Sequence, residues 1–153
     1  MKLERILFPT DFSPGSDLAA RYAADLASQY GAELIVVHVF FDVIEGTSWY
    51  APQVPLHDLS HEVEESARRQ LDAFCSRNFQ GMEKMRSHLI KGMADQEILK
   101  AAEAEKADLI VIGTHGRTGL NRVLFGSTAE KVVRRADCPV LSVRLPGHRK
   151  ESP

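Results

Sequence analysis

The sequence predicts an α/β fold, a doubly wound sheet of five parallel strands with helices on both faces. Five short apolar runs alternate with four segments whose apolar residues recur at helical spacing, the pattern of a parallel sheet with crossover helices. The run at 34–40 is apolar at nearly every position, as a strand covered on both faces requires. Polar and glycine-rich segments follow the first and fourth runs, where a ligand site at a reversal of the winding would lie. These observations favour the strand order 3-2-1-4-5.

The first strand and the first helix have clear ends. The strand covers residues 5–8 and stops at Pro9. Ser13 is expected to cap the following helix with its hydroxyl, and Pro14 suits the first helical position, where no backbone donor is needed. Gly31 ends the helix, because glycine readily adopts the left-handed C-terminal cap.

The middle of the chain holds the least regular segment. Residues 42–57 contain glycine and prolines and show no clear period, so we predict a long loop, which in a compact domain is often functional. Apolar residues at helical spacing then predict a second helix over 59–74. A weaker strand at 85–90 and a helix that starts near Ala94 follow.

The last third of the chain begins with an apolar strand over 109–112, which ends in Gly113. A loop punctuated by glycines leads to a helix over 128–135. The final strand covers 140–143 and is entered through Pro139. The chain therefore ends its regular structure with a strand that belongs to the same sheet.

Length, charge and cysteine content exclude several classes of function. The chain has 153 residues, and we predict one domain over 1–145 and a disordered polar tail over 146–153. A net charge of −2 gives no general attraction to nucleic acid or to an anionic membrane, so neither is expected as a partner. The amino-terminal segment does not resemble a signal peptide, and no apolar run is long enough to span a membrane. Cys75 and Cys138 form no disulfide or zinc pattern, so a cytoplasmic protein is expected.

Two common nucleotide motifs are absent, and another glycine pattern is present. The chain has no G-x-x-x-x-G-K-[ST], and its first strand is not followed by G-x-G-x-x-G. Instead, Gly113 and Gly116 follow the fourth strand, and nine residues later Gly126 and Ser127 open a helix. Glycine lets a ligand approach the backbone, and the free N–H groups and the dipole of a helix start attract anions. This stretch therefore predicts a phosphate site.

A second loop faces the glycine loop if the strand order is 3-2-1-4-5. It follows the first strand and consists of Pro9, Thr10 and Asp11. The end of the second strand, which includes Val39, flanks both loops. The sequence alone does not establish this order, but it does place polar residues after the strands that such a site requires.

The spacing G-2x-G-9x-G-[ST] carries a family resemblance. Nucleotide-binding members of the universal stress protein family have this spacing, and the chain resembles that family from about Lys2 to Arg144. The segment IGTHGRTGLNRVLFGSTAEKVVRRADCPVLSV and the opening ILFPTDFS are both similar to it. The resemblance implies a Rossmann-like fold of the adenine nucleotide hydrolase type. It also implies a stress-response protein that binds ATP, or ADP or AMP, together with Mg²⁺.

The resemblance implies roles for individual residues. Asp11 would approach the adenosine, and the Val39 backbone would meet the adenine. Gly113 and Gly116 would line the path of the ribose and phosphates, and residues 126–128 would bind the phosphates. The full set of predicted binding residues is Pro9, Thr10, Asp11, Val39, Ile112, Gly113, His115, Gly116, Arg117, Gly126, Ser127 and Thr128.

Several of these residues also have purely structural explanations. Ser127 and Glu130 fit a capping box, in which the serine caps the helix and needs no ligand. Asp11 fits an Asx turn, in which the carboxylate accepts a bond from a nearby backbone N–H. A need for positive φ is an alternative explanation for Gly113 and Gly119.

Three hypotheses for the function follow. The first is a regulatory, adenine-nucleotide-binding protein, which the resemblance implies to be a homodimer through Val140–Val143. The second is a slow ATP hydrolase or phosphotransferase, for which the glycine loop offers His115 but no obvious carboxylate base. The third is a dimeric adaptor whose nucleotide is structural. No catalytic and no metal-ligating residue is predicted, and the sequence identifies neither a stress signal nor a protein partner.

Overall fold

The predicted strands and helices are all present in the part of the chain that the structure describes. The computed structural model describes residues 2–42, 56–114 and 126–146. The strands are β1 (Arg5–Pro9), β2 (Glu33–Phe40), β3 (Met85–Lys91), β4 (Leu109–Gly113) and β5 (Val140–Val143). The helices are α1 (Pro14–Tyr30), α2 (Leu56–Asn78), α3 (Ala94–Ala104) and α4 (Ser127–Arg135). Strands and helices alternate along the chain, as predicted.

The five strands form one parallel sheet in the order β3-β2-β1-β4-β5. The predicted order 3-2-1-4-5 is therefore confirmed. β1 lies in the centre, where Ile6 pairs with Leu34 of β2 on one side and with Leu109 of β4 on the other. The winding reverses between β1 and β4, so the loops that follow these two strands emerge side by side at the carboxyl edge.

Helices pack on both faces of the sheet, and alternate residues of each strand point to opposite faces. In β1, Ile6 and Phe8 pack on the face covered by α1 and α2, whereas Leu7 packs on the face covered by α3 and α4. All three side chains are completely buried. The ring of Phe8 lies 6.0 Å from that of Phe74 on α2. Two hydrophobic cores thus lie on opposite faces of the sheet, beneath its carboxyl edge.

Both ends of the first helix are capped as predicted. The Ser13 hydroxyl accepts a hydrogen bond from Ser16 N at 3.3 Å, and Pro14 occupies the first turn. Gly31 adopts the left-handed conformation, with φ +63°. The caps satisfy backbone groups that the helix itself leaves without partners.

The element bounds differ from the prediction at a few ends. β1 includes Pro9, whereas the predicted strand ended at residue 8. α4 starts at Ser127, one residue before the predicted start. α2 starts at Leu56, so the loop predicted over 42–57 is too long at its carboxyl end. The helical period is hidden there because the first turn of α2 carries polar residues. The rest of that loop, residues 43–55, lies outside the described residues.

Two further predictions concern the ends of the chain and the membrane. Residues 147–153 lie outside the described residues, so the boundary between a domain over 1–145 and a disordered tail stays a prediction. Among the helices that the structure describes, none combines the length and the apolar character needed to cross a membrane.

Candidate functional site

The carboxyl ends of β1, β2 and β4 surround a cavity of about 280 Å³. This volume is just below the usual range for small-molecule sites, which is about 300–1,000 Å³. The cavity lies where the winding of the sheet reverses, and the first turns of α1, α3 and α4 also reach its wall. Its position is therefore the one expected for a ligand site in an open α/β sheet.

The cavity brings together every predicted binding residue that the structure describes. Those residues come from the loop after β1, the end of β2, the end of β4 and the start of α4. They are Pro9, Thr10, Asp11, Val39, Ile112, Gly113, Gly126, Ser127 and Thr128. The other predicted residues, His115, Gly116 and Arg117, lie outside the described residues. That any of them binds a ligand stays a prediction.

The loop after β1 contains an Asx turn at Asp11, as the structural alternative for this residue predicted. Its Oδ1 atom accepts hydrogen bonds from Ser13 N at 3.0 Å and from the Ser16 hydroxyl at 2.7 Å. The Ser16 hydroxyl in turn accepts a bond from Asp11 N at 3.3 Å. The turn thus uses Oδ1 and orients the half-buried carboxylate at the wall of the cavity. A structural role and a ligand contact through Oδ2 are compatible.

Gly113 is required for close packing rather than for positive φ. It is absent from the residues with positive φ, so that explanation is wrong. A Cβ atom at this position would lie 2.9 Å from the carbonyl carbon and oxygen of Gly15 and 3.2 Å from Ser16 N. The end of β4 therefore touches the first turn of α1 backbone to backbone. Any larger residue would separate two walls of the cavity.

Backbone hydrogen bonds link the residue before α4 to Thr114, which follows β4, and link Thr114 to β5. Thr114 N donates to Val143 O at 2.9 Å, and Gly126 N donates to Thr114 O at 2.6 Å. The chain therefore returns to the place that it left, although residues 115–125 between these points lie outside the described residues. Gly126 is the N-cap, with extended backbone and no side-chain capping bond.

The capping-box explanation for Ser127 is wrong. Ser127 is the first helical residue rather than the cap, and the first intrahelical bond runs from Glu130 N to Gly126 O at 3.0 Å. The Glu130 carboxylate pairs instead with Arg134 at 3.0 Å. The N–H groups of residues 127–129 thus occupy the open end of α4, where a helix presents donors and a positive dipole.

Sequence reasoning missed part of the wall. The missed residues are small or apolar, apart from one serine and one threonine, and are Ser16, Val37, Ala94, Ile98, Thr114 and Ala129. The positions of two of them in the cavity wall could be predicted from periodicity, once the strand order is known. Val37 lies two residues before Val39 and so shares its face of β2, and Ile98 lies one helical turn after Ala94.

An ion pair joins the first turn of α3 to the second turn of α4. Asp95 in the first turn of α3 is buried, with 7% of its surface exposed, and its Oδ2 lies 3.5 Å from Lys131 Nζ on α4. A carboxylate in the first turn of a helix is stabilised by the helix dipole. Among the described residues, no group of three or more His, Cys, Asp or Glu side chains is placed to hold a metal ion.

Comparison with known sequences identifies the relatives of this chain. A model of the universal stress protein family matches residues 2–144. Universal stress protein MJ0531 of Methanocaldococcus jannaschii is 34% identical over 148 residues, which cover 94% of this chain and 83% of that protein. Universal stress protein A homolog 1 of Coxiella burnetii is also 34% identical, over 94% of this chain and 97% of its own length.

Solved structures share the fold. The structure of MJ0577, a universal stress protein of Methanocaldococcus jannaschii, matches with a TM-score of 0.82 and 27% identity over 96% of this chain and 99% of that one. A family member from Burkholderia pseudomallei matches with a TM-score of 0.70 and 27% identity over 93% and 96%. A universal stress protein in complex with cAMP matches with a TM-score of 0.59 over 94% and 98%, but at 23% identity this likeness shows the fold alone.

Proposed function

Since the chain belongs to the universal stress protein family, we propose that its cavity binds an adenine nucleotide and that the protein acts as a cytoplasmic regulatory module of the stress response. The observation that carries the proposal is the meeting of sequence-distant residues in one cavity. The loop at Asp11, the strand end at Val39 and the helix start at Gly126 all line it. Each is part of the nucleotide site that the family resemblance implies.

The two sides of the cavity suit the two ends of a nucleotide. Val37, Val39, Ile98 and Ile112 supply apolar surface, which favours burial of a flat base. The open first turn of α4 supplies backbone N–H groups, a positive dipole and the hydroxyls of residues 127 and 128, which favour phosphate. In this arrangement the base lies towards β2 and α3, and the phosphates lie towards α4.

The donor set is compatible with Mg²⁺ that is bound mainly by the nucleotide. Mg²⁺ usually binds through one or two carboxylates together with substrate phosphates and waters. Asp11 is the carboxylate in the cavity wall, and the hydrogen bonds that it accepts from described residues go to Oδ1. When bound, Mg²⁺ would screen the charge of the phosphates near α4.

Isothermal titration with ATP, ADP, AMP and cAMP in the presence of Mg²⁺ tests the proposal. A micromolar dissociation constant, equivalent to about −8 kcal/mol, is expected for at least one of them. Analysis of the nucleotide after long incubation separates binding from slow hydrolysis. Absence of binding by all of them at millimolar concentration would contradict the proposal.

A charged variant locates the phosphate end. Ser127→Asp places a carboxylate at the mouth of the cavity, and repulsion between unit charges about 4 Å apart costs between about 1 and 4 kcal/mol, depending on solvent screening. The variant should remain folded, because an acidic residue in the first turn of a helix is favourable. Gln96→Asp is the matched control, since Gln96 is exposed in the first turn of α3 and does not line the cavity. Equal affinity of the two variants would place the phosphates elsewhere.

We also propose that the protein is a homodimer through β5. In the described sheet, β5 pairs with β4 and lies at the edge, so one row of its backbone groups faces outward, as a template for another strand. Its residues 140–142 are only partly exposed. Light scattering should give twice the 17.0 kDa mass of one chain, and a monomer at micromolar concentration would contradict this part of the proposal.

A further inference from the structure

A histidine outside the cavity holds the loop that carries Asp11. The Nδ1 atom of His38, on β2, lies 2.7 Å from the backbone oxygen of Thr10. Because a carbonyl oxygen only accepts hydrogen bonds, Nδ1 is the protonated nitrogen and donates. His38 lines a wider depression beside the cavity, and Asp11 and Val39 form part of the wall of both.

The residue on the other side of Asp11 is also held by His38. Phe12 has φ +64°, which is strained for a bulky L residue. Its ring lies 4.1 Å from the His38 ring, centroid to centroid, and 5.7 Å from the ring of Phe74 on α2. These ring contacts, together with the hydrogen bond from Phe12 N to the Thr10 hydroxyl at 3.1 Å, stabilise the strained backbone.

His38 and the backbone bond from Thr10 N to Val37 O at 2.9 Å hold the loop against β2, whereas local bonds orient the carboxylate within the loop. The neighbours of Asp11 on both sides, Thr10 and Phe12, contact the same imidazole. The Asp11 carboxylate is oriented within the loop by Ser13 N and by the Ser16 hydroxyl. Together the two sets of contacts place the carboxylate at the cavity wall.

We propose that His38 is a positioning residue for nucleotide binding, which acts through the Asp11 carboxylate and does not touch the ligand itself. The inference rests on the proposed function, because it names the residue that positions one ligand contact of that site, the Asp11 carboxylate. The role requires an N–H donor for the Thr10 carbonyl and a flat ring against Phe12, and a histidine protonated at Nδ1 supplies both.

Titration of ATP with Mg²⁺ against variants of the full chain tests the role. His38→Leu keeps the bulk but removes the donor, and affinity should fall about tenfold, the equivalent of one hydrogen bond of about 1.4 kcal/mol. His38→Asn keeps an N–H donor close to the position of Nδ1 and should restore most of the loss. His88→Leu is the matched control on β3, where His88 contacts Arg86 rather than the loop, and it should leave affinity unchanged.

A double-mutant cycle separates positioning from a general loss of structure. Asp11→Asn keeps the Oδ1 acceptor of the turn but removes the charge. If His38 acts through this carboxylate, His38→Leu should weaken ATP binding much less in the Asp11→Asn background than in the unaltered protein. If His38→Leu does not fold, Phe12→Leu, which removes the ring that stacks on His38, takes its place with the same expectation.

The possible outcomes distinguish the inference from the proposed function. No ATP binding by the unaltered protein overturns both. Binding by the unaltered protein that is unchanged in His38→Leu overturns the inference alone. An equal loss with and without Asp11→Asn also overturns it, because the effect would then not pass through Asp11.

Discussion

Substitution of Gly113 by alanine should damage both stability and ligand binding. The added Cβ atom would lie 2.9 Å from the carbonyl carbon and oxygen of Gly15 and 3.2 Å from Ser16 N. These are backbone atoms in the first turn of α1, so no side chain can rotate away to relieve the contact. The end of β4 and the start of α1 must therefore move apart.

The size of the effect follows from the crowding. Carbon atoms pack best about 3.5–4.0 Å apart, so the two backbones must separate by about 0.5 to 1 Å. Overpacking of this kind costs about 1–3 kcal/mol, which for a protein of this length lowers the melting temperature by about 2 to 12 °C. The same movement displaces Ser16, whose hydroxyl donates to Asp11, so ATP affinity should fall about tenfold, the equivalent of one lost hydrogen bond.

Thermal denaturation followed by circular dichroism, together with ATP titration, measures both effects. Gly81→Ala is the control, because Gly81 has φ +82° and no atom within 4 Å of an added Cβ. Gly81 lies between α2 and the amino end of β3, at the edge of the sheet opposite to the carboxyl edge that carries the cavity. The control variant should lose about 1–2 kcal/mol through backbone strain and keep its full affinity. A Gly113→Ala variant that melts within about 1 °C of the unaltered protein would refute the reasoning.

Two further predictions concern ionisable groups outside the cavity. The backbone N–H groups of Glu4 and Arg5 donate to Asp108 Oδ2 at 2.7 and 2.9 Å and hold the pKa of that carboxyl below its usual 3.8. Its stabilising contribution is therefore complete above the unfolded pKa and is lost as the pH falls through the folded pKa, so Asp108→Asn should lower the melting temperature at pH 7 but not near pH 2. Burial raises the pKa of the Cys75 thiol to about 11, so iodoacetamide should modify it at pH 8 only when urea unfolds the protein. Rapid labelling of Cys75 in native protein would contradict its burial.

The sequence predicted those features that local pattern encodes. The continuous apolar run of β2 reports burial on both faces, and Ser13 and Gly31 report helix ends, because capping needs only the residues next to the helix. The strand order needed one more assumption, that polar loops meet at a reversal of the winding. With that assumption, the loop after β1, the end of β2 and the glycine loop after β4 are expected to meet, whereas the individual binding residues were implied by the family resemblance.

What the sequence did not predict depends on contacts between distant segments. Phe12 at positive φ has no local signal, because its strain is compensated by rings on β2 and α2. The explanation of Ser127 as a helix cap failed by one residue, since the bond from Gly126 N to Thr114 O sets where α4 begins. The reason for Gly113 lies in the approach of Gly15, almost a hundred residues earlier in the chain.

Ser16 connects the two loops of the site. Its backbone N lies against Gly113 at the end of β4, at 3.2 Å from the position of a Cβ atom there. Its hydroxyl donates to the Asp11 carboxylate at 2.7 Å, and its backbone N–H also donates to the Ser13 cap. A displacement on the β4 side therefore reaches Asp11 through a single residue of α1, without passing through the core. This short path is why Gly113→Ala should affect the ligand contact at Asp11, and why His38, acting on the same loop from β2, controls the carboxylate from the other side.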